Sequence, residues 1–170
     1  MKKIDADITK AATLEGDFYA LESSFKDTLE NVFAKNWQLI ANDSKLKENK
    51  NALPFQFLGD LLPEPLVLIN NKGVINCYSN VCTHRGNILI NEPCKIKKHI
   101  TCGYHGRQFD SCGKFKFMPK TEGMKNFPST QDDLPVVPVE KWRQFIFASL
   151  EPNFEFSELI QDVEQRVGWM

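Results

Sequence analysis

The chain has 170 residues, 42% of them hydrophobic and 25% charged, too apolar for a disordered polymer and ordinary for one globular domain. Lys plus Arg number 21 against 22 Asp plus Glu, and the resulting net charge of −1 gives no overall pull toward nucleic acid. No run approaches the ~18 consecutive apolar residues of a membrane helix, and no apolar stretch follows the lysines of Met1-Lys2-Lys3, so neither a membrane span nor a secretory leader is expected.

Residues 1–17 are polar and without period, and are expected to be flexible. From Phe18 the apolar positions Leu21, Phe25, Leu29, Val32 and Phe33 recur in steps of three and four, which predicts a helix packed on the rest of the domain. Trp37-Gln38-Leu39-Ile40 reads as a strand, and Asn42 to Asn51 as a polar loop. Phe55–Leu58 follows as a strand. Leu66–Ile69 and Val74–Tyr78 flank Asn70-Asn71-Lys72-Gly73, a hairpin signal. Lys98–Cys102 is a further strand, and Arg107–Phe109 and Lys114–Phe117 flank the turn Asp110-Ser111-Cys112-Gly113. Val136–Val139 and Gln144–Leu150 read as a final strand pair. Short strands at this spacing predict a mainly β fold, an antiparallel sandwich or barrel. Ser157 to Val167 reads as a short C-terminal helix with Ser157 as its N-cap and Ile160, Val163 and Val167 on one face. The apolar stop at Gly168-Trp169-Met170 suggests that more chain should follow, so the expected division is residues 1–17, a domain over 18–150, and 151–170 as the start of a linker.

Charge is uneven. Residues 82–120 hold eight basic and two acidic side chains, a net of +6, whereas residues 121–170 hold four basic and nine acidic, a net of −5. The basic stretch is either a solvated surface or a collar that steers an acidic partner.

Five Cys and three His carry the sharper signal. An odd Cys count with no leader points to a reduced, cytoplasmic setting, where paired Cys and His mean metal. Cys82-Thr83-His84-Arg85-Gly86 and Cys102-Gly103-Tyr104-His105-Gly106 reduce to Cys-x-His and Cys-x-x-His. Two thiolates and two imidazoles suit a tetrahedral zinc or a [2Fe–2S] cluster with two Cys on one iron and two His on the other. Zinc fingers pair like ligands within each loop. Here each loop mixes them, as it must if each spans two irons, and the spacing favours the cluster. Gly86 and Gly106 suit loop backbone brought close to such a group. Cys77 reads as a small core residue, Cys94 and Cys112 as unpaired thiols in loop or turn, and His99 as an ordinary strand histidine.

The pattern CTHRG…CGYHG resembles the Rieske motif, and its surroundings from Phe18 onward are similar to the N-terminal domain of Rieske-type ring-hydroxylating oxygenase α subunits. The resemblance implies a Rieske-type fold with a cluster-binding subdomain of two hairpin loops. It makes Cys82 and Cys102 ligands of the inner ferric iron, and His84 and His105 ligands of the outer iron that changes valence. Around them it places Arg85, Gly86, Tyr104 and Gly106, with Tyr104 as an aromatic shield. Respiratory Rieske proteins join the loops through a disulfide. Asn87 and Tyr104 stand in that neighbourhood here, so the clamp is absent and a midpoint near the low end of the Rieske range, on the order of −150 mV, is expected. Gly103 and Arg107 depart from the Pro and Trp frequent in the family, which puts in question the packing or partner contact that Trp would supply.

The resemblance further implies one-electron transfer from a reductase or ferredoxin to a mononuclear iron, in the family on a neighbouring subunit of a trimer. That iron takes two His and a carboxylate. Only His99 remains after the four ligands, so the 170 residues do not contain that site; the resemblance implies an oxidoreductase, a mono- or dioxygenase, only as part of a complete α subunit, and the substrate cannot be read from them. A stand-alone Rieske ferredoxin and a zinc-stapled binding module are the alternatives; no nucleic-acid or membrane partner is expected.

Overall fold

The computed structural model describes residues 4–169. It opens on two short helices, α1 (Gly16–Ala20) and α2 (Glu22–Thr28), continued by a π-helical turn at Leu29–Phe33. The backbone is extended at Leu21 between them, so the apolar stripe does not lie on one straight helix. Only Leu29 of the stripe is buried, while Phe25 is 49% and Leu21 50% exposed. This corrects the expectation of a helix packed on the domain: the period is helical, but these side chains find no core to enter.

The body is β. In chain order come β1 (Gln38–Asn42), β2 (Asn51–Gln56), β3 (Pro65–Asn71), β4 (Val74–Ser79) and β5 (Cys94–Lys95). Next are β6 (Ile100–Thr101), β7 (Gln108–Phe109), β8 (Phe115–Phe117), β9 (Val136–Val137), β10 (Val139–Trp142) and β11 (Phe145–Ala148). They form three antiparallel sheets, ordered β1-β11-β10, β5-β2-β3-β4-β9 and β6-β7-β8. The β3–β4 hairpin turns at Lys72 and Gly73, both with positive φ, the geometry a two-residue loop needs to match strand twist.

Strand β3 is buried on both faces, and its alternation divides the interior. Val67 and Ile69 join Tyr78, Phe109, Ile100 and the two motif cysteines in one core. Leu66 and Leu68 join Phe57, Cys77, Ile146 and Ala148 in the other. Leu46, in the stretch expected to be a polar loop, is 1% exposed and belongs to this second core. Val136–Val139 is not one strand. Val136–Val137 pairs with β4 and Val139 with β11, the chain changing sheets at Pro138, which has no N–H to give a ladder. The strand expected at Lys98–Cys102 shortens to Ile100–Thr101.

Helix α3 (Phe156–Val167) closes the described chain. Its N-cap is Glu155, not Ser157, and the Glu158 carboxylate accepts from the Glu155 N–H at 3.3 Å. Phe156 packs against Trp37 and Phe147, with ring centroids 5.5 and 5.1 Å away, and the Trp37 indole donates to the Phe154 carbonyl. Among the described residues no helix is long and apolar enough to cross a membrane.

Candidate metal centre

The two motif loops repeat one backbone turn. In the first, the Cys82 carbonyl accepts from the Gly86 N–H at 3.0 Å, and the Cys82 N–H donates to the Asn87 carbonyl at 2.8 Å. In the second, Cys102, Gly106 and Arg107 make the same two bonds at 3.0 and 2.8 Å. Both glycines take φ near +70°, a region L side chains enter only at a cost, so Gly closes each turn. Their N–H groups are therefore spent on the cysteine carbonyls rather than offered to a bound group. The stems are β. Val81 bridges Ile88, and Thr101 pairs with Gln108. Buried Asn80 braces the first stem, its side chain donating to the Ile90 carbonyl at 2.7 Å and accepting from the Ile90 N–H at 3.0 Å.

The four singled-out side chains come together as two like pairs. Cys82 and Cys102, each 3% exposed, lie in one core, near enough for each thiol to act on the ionisation of the other. His84 is half-buried and His105 exposed, and their rings stand edge-to-face with centroids 4.8 Å apart. Tyr104, 64% exposed, lies over His105 at 3.8 Å. The site is thus graded, sulfur toward the core and imidazole toward solvent. Among the described residues no three His, Cys, Asp or Glu side chains converge on one position for a single ion.

Electrostatics favour the thiolate at Cys102 and the neutral imidazole at His84, but not the thiolate at Cys82. Burial opposes ionisation of both thiols. At Cys102 the N–H groups of Tyr104 and His105, Cys82 and the Asn87 side chain outweigh it and hold the pKa below the ordinary thiol value. At Cys82 burial wins, and its pKa is raised despite N–H groups of His84 and Arg85 aimed at the sulfur. Burial, then the charges of His105, Arg107 and Arg85, lower His84, which keeps the imidazole neutral and a lone pair available. Arg85, Gly86, Tyr104 and Gly106 all fall in the two loops, and only Gly106 of the four is even partly buried.

The roles of Arg107, Thr83 and Asp132 escaped the sequence reading, which noted Arg107 only as a departure from Trp. Arg107 is 4% exposed. Its Nη1 donates to Thr83 Oγ1 at 2.6 Å and its Nη2 to Asp132 Oδ1 at 3.0 Å. The Thr83 hydroxyl in turn donates to the Asp132 carbonyl at 2.8 Å. The rings of Phe115 and Phe127 flank the guanidinium, 5.3 and 5.6 Å from Cζ. Where the resemblance implies Trp, an ion pair fills the space. Cys77 is fully buried and Cys94 and Cys112 are exposed, as expected, but Cys94 lies on strand β5 rather than in a loop, and His99 precedes β6 rather than lying on it. His99 is half-buried on the approach to Ile100, and its Nδ1 has no hydrogen-bond partner among the described residues.

The thiol and imidazole pairs match the donor set of a [2Fe–2S] cluster with sulfur on one iron and nitrogen on the other. Comparison with known proteins agrees. The family model described as the Rieske [2Fe-2S] domain matches residues 36–128, more than half of the chain. The carnitine monooxygenase oxygenase subunit of Escherichia coli (strain K12) is 32% identical over 145 residues, covering 85% of this chain and 38% of that protein. Chloroplastic choline monooxygenase of Beta vulgaris is 30% identical over 145 residues, covering 85% and 32%. A crystal structure of a quaternary ammonium Rieske monooxygenase superposes with a TM-score of 0.80 at 26% identity, covering 93% of this chain and 45% of that one. Naphthalene 1,2-dioxygenase from Rhodococcus sp. shares the fold, with a TM-score of 0.72 at 20% identity over 83% of this chain. The chain spans less than two fifths of the length of these curated relatives. It belongs to the Rieske [2Fe-2S] domain family and carries the antiparallel fold of Rieske oxygenase large subunits.

Proposed function

We propose that Cys82 and Cys102 hold the inner iron, and His84 and His105 the outer iron, of the Rieske cluster of an oxygenase, through which single electrons pass. The observation that supports this most is the grading of the site, with two adjacent thiols 3% exposed and two adjacent imidazoles nearer solvent. When bound, the cluster supplies reversible one-electron chemistry. The chain's residues do the rest. The paired loops fix the donors, the cores behind Cys82 and Cys102 exclude water, and the exposed edge of His105 under Tyr104 shortens the distance to a partner.

The donor is a reductase or ferredoxin, and the acceptor a mononuclear iron outside these 170 residues, on a neighbouring subunit. Residues 151–170 lead toward that catalytic part. Exposed Arg85, Lys97, Lys98 and Lys120 make no ion pair among the described residues, whereas Lys114 and Lys95 are neutralised by Asp133 and Glu48. Those free cations suit an acidic donor surface, whose association would slow as salt rises. Two relatives are named for carnitine and choline, so a quaternary ammonium substrate for the complete oxygenase is the first to assay. The cytoplasm is the proposed compartment.

The test is anaerobic purification followed by iron and acid-labile sulfide analysis, visible spectra and paramagnetic resonance of the reduced protein. A red-brown chain that bleaches on reduction, and is colourless as Cys82→Ser or Cys102→Ser, supports the assignment. Colourless protein carrying zinc overturns it in favour of a stapled binding module.

A further inference from the structure

Arg107 is the one fully buried cation of the motif region, and its contacts belong to three segments. Its backbone closes the second loop, the Cys102 N–H donating to its carbonyl at 2.8 Å. Its side chain crosses to Thr83, which lies between Cys82 and His84 in the first loop. Its charge is met by Asp132, in the 3-10 turn Thr130–Asp132, whose other oxygen accepts from the Ser129 N–H at 2.8 Å and from the Ser129 hydroxyl at 3.1 Å.

We propose that Arg107 is a positioning residue of the redox site, which ties the second loop to the first through Thr83, is anchored by Asp132, and biases the bound cluster toward its reduced form by its buried charge. The inference rests on the ligand assignment above. The geometry carries the tie. No disulfide joins the loops, whose cysteines are all free, and the Arg107–Thr83 bond is a charge-assisted link between them. The bias follows from sign. Reduction adds one negative charge to the cluster, and a cation shielded from water on the loop beside it lowers the energy of that state. The guanidinium reaches Thr83 while the second carboxylate oxygen of Asp132 is turned to Ser129, so the positive end of the pair is the end on the loops. Among the described residues Nε of Arg107 is buried without a partner, and Thr83 and Asp132 take the hydrogen bonds of its guanidinium.

The test compares Arg107→Met, Arg107→Lys, Thr83→Val and Asp132→Asn in the cluster-loaded chain, reading the midpoint by redox titration and the cluster half-life against a chelator. The midpoint should fall in Arg107→Met and rise in Asp132→Asn, where the cation loses its neutralising partner; a tenfold change in the reduction equilibrium is 59 mV for one electron. Arg107→Lys keeps the charge, so its midpoint should stay closer to the parent than that of Arg107→Met. Thr83→Val should shorten the half-life severalfold while the midpoint moves less than in Arg107→Met. If Arg107→Met does not load, a raised midpoint in Asp132→Asn with a shortened half-life in Thr83→Val supports the proposal, and a lowered midpoint in the first or a parental half-life in the second overturns it. Displacements of Arg107→Met and Asp132→Asn in the same direction, or parental midpoint and half-life in both Arg107→Met and Thr83→Val, overturn the proposal with the cluster reading intact. A colourless parent chain overturns the cluster reading itself.

Discussion

His84 and His105 face one another at 4.8 Å although they stand at different places in their loops, two residues after Cys82 and three after Cys102. The backbone turns are the same, so the offset alone rotates one imidazole relative to the other and lets rings from opposing loops meet. At the position corresponding to His105 the first loop has Arg85, and at the position corresponding to His84 the second has Tyr104. One histidine therefore has an aromatic neighbour and the other a basic one.

Exchanging either imidazole for a thiolate tests their role directly. Thiolate donates more electron density and adds negative charge, so His84→Cys or His105→Cys should lower the midpoint from a parental value on the order of −150 mV. Redox titration of variants that retain a cluster is the measurement, and an unchanged midpoint in both would remove the histidines from the outer iron.

The loop glycines should matter equally and for the same reason. A Cβ at Gly86 meets nothing within 4 Å, and at Gly106 only Pro119 at 3.5 Å, an ordinary contact. The penalty for Ala is therefore the left-handed backbone itself, about 1 kcal/mol at each site. Urea unfolding of the metal-free chain should show two similar losses, and a much larger one at Gly106 would point to crowding instead.

Acid should weaken the fold through Asp132. Burial raises its pKa, but the Ser129 N–H and hydroxyl and then Arg107 outweigh it, and the carboxyl is held below its ordinary value. A lowered carboxylate contributes its full stabilisation above the unfolded value near ~3.9 and loses it as pH falls through the folded one. Asp132→Asn should cost about 3 kcal/mol near neutrality, the low end for breaking a buried pair because Asp132 is itself partly exposed. It should also flatten the stability slope below about pH 4, measured as urea midpoints across pH in metal-free parent and variant. Parallel slopes would remove Asp132 as the source.

Thiol chemistry should sort the remaining cysteines by burial. Cys77 is fully buried, and burial pushes its pKa up to about 12, so almost no thiolate exists to react. Cys94 and Cys112 are exposed. Alkylation of the native loaded chain near pH 8 should mark Cys94 and Cys112 within minutes and leave Cys77 unmarked until denaturant is added, as read by peptide mass. Early labelling of Cys77 would mean that the core opens locally.

What the sequence disclosed was what lies close along the chain. The Lys72-Gly73 turn, the apolar runs of β3 and β4 that flank it and the paired motif loops depend on neighbours within a few residues, and each was readable. The Phe18–Phe33 stripe has the right period, but period reports an amphipathic face and not whether anything covers it. Val136–Val139 looks continuous because β propensity does not reveal a change of partner at Pro138. The Arg107–Thr83–Asp132 network joins residues 24 and 25 positions apart. Arginine in a basic run reads as surface, and only the fold shows that this one is enclosed.

Strand β3 turns Val67 and Ile69 toward the motif cysteines and Leu66 and Leu68 toward the far sheet. One backbone thus serves as a common wall, and neither compartment can melt without stripping the other of its lining. Damage far from the irons, such as a truncated Leu68, should therefore be felt at the loops as a shared loss of cooperativity: heat should bleach colour and unravel secondary structure in a single step.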